Sequence, residues 1–485
     1  MNTRALSWVL IVASAVALWT IRLNSPPDLM TSDQERPASY VLDAVRNSHW
    51  VCQRDWTGDI TSKPPMYTWL AALATLPFDH INRFSLTLPA ALSTVAIGLI
   101  IFGVGEAQFG WAAGFFGALM YLLSFVAAKQ VVLVRTDGLF ALTVTLTALA
   151  GYRAWTRGGG WIWFWLAAAI STLTKGPLGV ALGAMGLLAA VWEAQSGTPA
   201  PLKGSQLSGI VVYLALVLGW FLWAYSQMGH ALLDKLLSRE LMGNAVQAHD
   251  MHVYPGQWFY KPPLYFLSRL APWSLFACIG FWRVCRKPAV NPTERRFERF
   301  LFCWFFVGLV PFSLGASQRA DHLFPLMPAA ALLGGRELAR LLEGKTRRWI
   351  ITTAAAVLVI SLGLIVVYYS VVRRKQQDIV RTVGMSQLAD EVRAQGGKDF
   401  PLVYVDAPFA LQFYLNTMQP AVSMERAAEL LRGSTPAFVA VRDSAALQKQ
   451  LGPAPAGVHE VARWPNAGEA FVRIVGNRPR LMRPE

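Results

Sequence analysis

Charge is scarce in these 485 residues. Asp, Glu, Lys and Arg together make up 15% of the chain, against about 25% in soluble domains. Acidic residues are the scarcer sign, 29 against 44 Lys and Arg, so the net charge is +15. Cysteine is rare as well. Cys52, Cys278, Cys285 and Cys303 form no CxxC pair, which leaves neither a zinc framework nor a disulfide scaffold. No glycine-rich phosphate loop follows a strand-like run in the C-terminal stretch 373–485. What is abundant is apolar: 54% of residues are hydrophobic, with 19 Trp and 26 Phe, and the mean hydropathy is +0.37. This composition excludes a disordered chain and an ordinary cytosolic enzyme and reads as a polytopic membrane protein. The positive excess then belongs to basic loops between spans. No basic stripe interleaves with aromatics as single-strand binders require, so no nucleic-acid partner is expected.

Apolar runs of about 17–25 residues mark crossings. Arg4 precedes a first run from Ala5 to Ile21, and Arg22-Leu-Asn-Ser-Pro-Pro after it lacks a small-x-small cleavage site, so it reads as a retained span. Further runs cover 87–104, 112–134, 139–156, 209–226, 262–282, 299–316, 322–341 and 349–371. The stretch 161–193 is broken at Thr174-Lys175-Gly176-Pro177 and reads as two short spans. Residues 64–79 carry three prolines and end in Asp79 and His80. If that segment crossed, the basic loops 283–299 and 336–348 would face outward, against the charge rule. It therefore reads as a juxtamembrane helix, leaving eleven spans. The fold class is all-α and membrane-embedded. The N-terminus is expected in the cytoplasm of a bacterial inner membrane. Residues 23–86, the turns at Asp137 and Lys175, the 227–261 loop and the C-terminus are expected on the periplasmic side.

From Arg373 the character changes. Charge returns, and short β-like runs (Pro401–Val405, Ala437–Val441, Ala470–Ile474) alternate with helical stretches such as Met424–Leu431 and Ser444–Leu451. That predicts a small α/β domain over 373–485, beside a transmembrane domain over 1–372 whose first periplasmic loop is 23–86.

Ionisable groups at span ends are functional candidates, because burial there costs several kcal/mol. Here they converge on one face. The first outer loop carries Ser32-Asp33-Gln34-Glu35-Arg36 and then Lys63-Pro64-Pro65, with Tyr67 and Trp69; Lys261-Pro262-Pro263 echoes the second motif. Asp137 sits in Val134-Arg135-Thr136-Asp137-Gly138 at one span end, and Lys175 in its own polar break. Arg319, Asp321 and His322 interrupt apolar sequence near Pro325 and Pro328. Glu240 lies in the 227–261 loop ahead of His249 and His252, whose spacing matches no recognised metal-ligand pattern. Each residue has a structural alternative: Asp33 could cap a helix starting near Glu35, and Lys63 could snorkel to headgroups.

These motifs, in this order over residues 1–345, resemble the membrane glycosyltransferases that use polyprenyl- or dolichyl-phosphate sugars. The closest resemblance is to the aminoarabinose transferases of lipid A and the protein O-mannosyltransferases. The resemblance implies a GT-C fold, a polyprenyl-phosphate-sugar donor and a lipid, glycan or protein acceptor. The chain departs from the pattern at Gln34, Pro37, Ser62 and His322. Ser62 stands where relatives carry a glutamate before Lys-Pro-Pro, so a divalent metal is left open.

The chemistry points the same way. Glycosyl transfer needs a base for the acceptor and cations for the departing phosphate. Asp33 is the candidate base, and Asp137 a second catalytic carboxylate that orients its neighbours. Arg36, Lys63, Lys175 and Arg319 suit phosphate, with Tyr67, His322 and Glu240 as further substrate contacts. One base with direct displacement predicts inversion at the anomeric carbon. The alternative from another class is a transporter or flippase of lipid-linked sugars, which would show paired broken helices and midplane charge.

Overall fold

The computed structural model describes residues 3–30, 32–61, 63–78, 80–197, 200–235, 256–315, 318–396, 401–452 and 457–477. They form two compact units. One gathers Met1–Asn24, Ser62–Leu70 and Thr87–Tyr368; the other gathers Ser25–Thr61, Ala71–Leu86 and Tyr369–Glu485.

The chain opens with α1 (Thr3–Leu23), α2 (Ser32–Arg46), α3 (Met66–Thr75), α4 (Arg83–Phe109) and α5 (Trp111–Leu122). Then come α6 (Phe125–Gln130), α7 (Thr136–Arg157) and α8 (Trp161–Lys175). Later helices of the first unit include Ala189–Gln195, Leu207–Met228, Pro292–Leu314, Met327–Leu341 and Arg347–Val367. Its core is aromatic. Phe102, Phe116, Tyr121, Phe297, Phe300, Trp304 and Phe324 are fully enclosed. The Met327–Leu341 helix approaches α5 closely because glycines face each other: a Cβ on Gly335 would strike the backbone at Gly117 and Ala113. Small residues at helix contacts are how membrane helices gain packing without a hydrophobic driving force.

Among the described residues, six helices are long and apolar enough to cross a membrane, or seven if the bent pair Lys261–Arg269 and Ser274–Arg286 counts as one span. Length and apolarity alone thus account for fewer than the eleven crossings expected. The run 112–134 is broken at Leu123, where Ser124 accepts from the Ala127 N–H and starts α6 afresh. α7 has 22 residues but buries Thr143, Thr145 and Thr147, which lowers its apolarity. At Lys175 the chain does break: α8 ends there and Gly176 follows at φ +98°, a conformation that favours glycine. α3 has ten residues, about 15 Å at 1.5 Å per residue, too short to cross alone. Lys63-Pro64-Pro65 precedes the short helix α3, and Lys261-Pro262-Pro263 forms the first turn of the short helix Lys261–Arg269, since proline suits a first helical turn.

The second unit holds a four-stranded sheet of β1 (Leu402–Tyr404), β2 (Phe438–Val441), β3 (His459–Trp464) and β4 (Val472–Gly476), in the order β1-β2-β4-β3. β1 and β2 are parallel, with Leu402 opposite Phe438; β4 runs antiparallel to both β2 and β3. Helices Gln377–Gly396, Phe409–Leu415, Met424–Arg432 and Ser444–Leu451 accompany it. β3 was not foreseen; its sequence, His-Glu-Val-Ala-Arg-Trp, is too polar to read as a run. Residues 25–61 of the first loop belong to this unit. The Ala421 N–H donates to the Trp56 carbonyl at 2.9 Å, the Trp56 ring lies 5.6 Å from that of Phe409, and Arg373 pairs with Asp28.

Candidate active site

The first unit gathers charge where α6, α7, α8 and a 3-10 turn (Ala320–Leu326) meet. α6 ends in Lys129-Gln130, and after a turn Arg135 precedes α7. Asp137 falls in the first turn of α7 and Lys175 in the last turn of α8. Each charge thereby opposes its helix dipole favourably. Lys175 Nζ bonds Asp137 Oδ1, and Arg135 Nε lies 3.2 Å from Asp137 Oδ2. The second carboxylate, Asp321, receives Lys129 Nζ at 2.7 and 2.8 Å, Gln130 Nε2 at 3.2 Å and Arg135 Nη1 at 3.0 Å. Arg135 thus bridges the two aspartates. Burial alone would raise both carboxyls, yet the adjacent cations hold them below the usual carboxylate range.

The surrounding groups extend the cluster. The charge of Lys63 reaches Asp137. Tyr67 is buried and donates from its hydroxyl to the Leu133 carbonyl at 3.2 Å, which fixes α3 to the turn before α7. His322, half-buried against Phe312, feels the charges of Lys175, Asp137, Arg319 and Arg135. Five cations (Lys63, Lys129, Arg135, Lys175, Arg319) thus meet two carboxylates among the described residues. Such an excess is suited to an anion: a phosphate bonded by several charge-assisted hydrogen bonds.

Lys63, Tyr67, Asp137, Lys175, Arg319 and His322, all singled out in the sequence, come together here. Lys129 and Gln130 were missed, because they lie inside an apolar run read as one crossing. A lysine in such a run was itself the signal. Arg135 and Asp321 stood in the quoted motifs without a role. Glu240, His249 and His252 lie outside the described residues. Among the described residues, no group of three or more His, Cys, Asp or Glu side chains could hold a metal ion.

The remaining two candidates belong to the second unit. α2 begins at Ser32, so half-buried Asp33 lies within its first turn rather than ahead of it. Arg36 Nε is 3.4 Å from the buried Asp55, and its side chain is more than half exposed. Next to them Glu35 is buried, and its carboxyl is pushed up to about 7 by that burial, against the Phe409 backbone hydrogen bond and the charge of Arg442.

Comparisons with known proteins bear on the fold. A model of the dolichyl-phosphate-mannose-protein mannosyltransferase family matches residues 62–223. Two proteins of Pseudomonas fluorescens strains, each named undecaprenyl phosphate-alpha-4-amino-4-deoxy-L-arabinose arabinosyl transferase 1, are 24% and 26% identical. These matches cover 66% and 70% of this chain, and 56% and 61% of the relatives. The chain therefore spans less than two thirds of the length of these curated relatives. The crystal structure of ArnT from Cupriavidus metallidurans bound to undecaprenyl phosphate superimposes with a TM-score of 0.74 at 18% identity, over 98% of this chain and 99% of that one. Its apo form gives 0.70 at 17% identity. The fold is that of the GT-C membrane glycosyltransferases of the aminoarabinose-transferase type, and the resemblance read from the motifs holds.

Proposed function

We propose that this protein transfers a sugar from a polyprenyl-phosphate donor to an envelope lipid, glycan or protein on the periplasmic face of a bacterial inner membrane. The observation that carries the reading is the excess of cations around Asp137 and Asp321. In the reaction, an acceptor hydroxyl oxygen attacks the anomeric carbon and the bond from that carbon to the phosphate oxygen breaks. The electron pair leaves with the phosphate, whose charge goes from −1 to −2. Cations already in place stabilise that added charge more than the ground state, which is what catalysis requires. Lys63, Lys129, Lys175 and Arg319 hold the phosphate, Arg36 contributes from the first loop, and Arg135 is held by both aspartates. Asp33 takes the acceptor proton, and a single displacement inverts the anomeric carbon. Asp137 positions Lys175 and Arg135. Tyr67 and His322 shape the site, and Glu240 is a further substrate contact. Residues 1–372 carry the catalytic machinery, with 373–485 as a periplasmic domain.

The transferase names of the relatives favour this reading over a flippase. Aminoarabinose is accordingly the first sugar to test. Asp33→Asn keeps the shape of the side chain but cannot take a proton. Transfer from a polyprenyl-phosphate sugar by the purified variant should fall roughly 10²–10⁴-fold, with donor binding unchanged. Full transfer by Asp33→Asn would move the base to another carboxylate, Asp137 first.

A further inference from the structure

A cleft of about 180 Å³ lies between α1, α5 and the Arg347–Val367 helix. Leu10, Phe115, Leu119, Ala355 and Leu358 are among its walls, and none of them is used by the chemistry above. The polar groups along it are engaged with each other. Trp111 Nε1 donates to Ser7 Oγ at 2.7 Å, and Ser14 Oγ donates to the Leu10 carbonyl at 2.7 Å. The cleft therefore offers hydrocarbon to its contents. A wholly apolar cavity of about 150 Å³ stays dry and accepts benzene, so an occupant of this one is itself hydrocarbon. Leu10 and Ile351 are more than a third exposed, so the cleft opens sideways, where a bilayer supplies acyl chains.

One end of the cleft is polar in a definite sense. Ser7, Trp111 and Ile351 line it and lie at or near the first turns of α1, α5 and the Arg347–Val367 helix, so three positive helix ends border it. Arg4 stands three residues before Ser7 and the exposed Arg348 three before Ile351, the spacing that shares a helix face. Arg4 Nε sits 3.0 Å from Glu106 Oε2, neutralising the nearest acid. In sequence, the approach to the Arg347–Val367 helix carries Lys345, Arg347 and Arg348 against Glu343, a net excess of cations.

We propose that the cleft holds one acyl chain of an anionic glycerophospholipid, with the lipid phosphate at the Arg348 end. The site depends on the chain spanning a membrane and not on the transferase reading. Occupied, it seals a peripheral helix whose apolar stretch is mostly exposed against α1 and α5.

The test uses the full chain in detergent, native mass spectrometry, and phosphatidylglycerol or phosphatidylcholine added in mixed micelles. Wild type should retain one phosphatidylglycerol through delipidation and prefer it to phosphatidylcholine by about tenfold. Ala355→Phe, at an exposed position on the cleft wall, fills the space and should lose that lipid. Arg348→Glu should abolish the preference. Equal retention by wild type and Ala355→Phe, or displacement of phosphatidylglycerol by undecaprenyl phosphate, overturns the assignment. A measurement on wild type alone guards against a misfolded variant. Phosphatidylglycerol brominated on its acyl chain should place bromine density between α1, α5 and the Arg347–Val367 helix, and density only elsewhere contradicts the proposal.

Discussion

The helical unit carries two dense charge clusters, and they differ in kind. At one end Arg299 Nη1 meets Glu193 at 2.7 Å, Arg336 bonds Glu298 and Glu337, and Arg283 and Arg340 reach Glu337 at 3.3 and 3.2 Å. Glu193, Glu298, Glu337 and Arg336 are all at least 97% buried. The other cluster surrounds Asp137 and Asp321. The Pro292–Leu314 helix separates them, since Glu298 and Arg299 lie in its first turns and Asp321 follows its far end. Twenty-three residues span about 35 Å. Arg283, Arg295, Arg296, Arg299, Arg336 and Arg340 meet Glu193, Glu294, Glu298 and Glu337 in the first cluster, and five cations gather around two aspartates in the second. The first encloses Glu193, Glu298, Glu337 and Arg336, leaves Arg283 and Arg340 36% and 31% exposed at its rim, and is nearer to balance, which is the state of an internal fastening. In the second, Lys129 and Lys175 stay 40% and 22% exposed, and cations outnumber carboxylates among the described residues. Burial with balance marks structure here, and access with imbalance marks a place for an anion.

The largest expected effect falls on the balanced cluster. Glu298→Gln leaves Arg336 buried beside one carboxylate instead of two, and breaking a buried pair costs about 3–5 kcal/mol. Thermal denaturation should show a clear fall in Tm, while the folded fraction keeps its affinity for donor. A fall in donor affinity with unchanged Tm would erase the distinction between the two ends.

Glu35 supplies a contrast in the second unit: a buried carboxyl met by a backbone hydrogen bond and the charge of Arg442, with its pKa raised from 4.5 to about 7. Between those values the folded protein keeps a proton that the unfolded chain has lost. Stability should therefore fall as pH rises from about 4.5 to about 7, by about 3 kcal/mol, and stay level above. Denaturant titrations across that range on wild type and Glu35→Gln check it. The variant should lack the slope, and an equal slope in both would assign it elsewhere.

A smaller effect is expected at the open cluster. Lys129→Ala leaves Asp321 bonded to Arg135 and Gln130, so Tm should move little. The loss of one phosphate contact should weaken transfer ten- to a hundredfold, about 1.5–3 kcal/mol. Steady-state transfer assays decide it, and a drop in Tm without a loss of transfer would make Lys129 a fastening like Arg336.

The sequence made the open cluster more legible than the shut one, for a physical reason. Asp137 and Lys175 each interrupt apolar sequence, and an interruption in a span is visible as such. Lys129 hid because the break at Leu123–Ser124 depends on a serine capping the next helix, which apolarity does not register. Glu193, Glu298 and Arg336 hid differently. Glu298 and Arg336 stood in stretches read as basic loops, where the charge rule gives orientation but not burial, and Glu193 ended a stretch read as a span. In the second unit the alternation of strands and helices was clear. Its union with residues 25–61 was not, because contacts such as Ala421 with Trp56 join positions hundreds of residues apart.

The central claim is that the cations around Asp137 and Asp321 hold the phosphate of a lipid-linked sugar. Equilibrium binding of undecaprenyl phosphate to purified wild type, Lys175→Ala and Arg340→Ala tests it most directly. Lys175→Ala should bind ten- to a hundredfold more weakly than wild type, and Arg340→Ala, at the shut end, should bind as wild type does. Equal affinity in wild type and Lys175→Ala would contradict the claim.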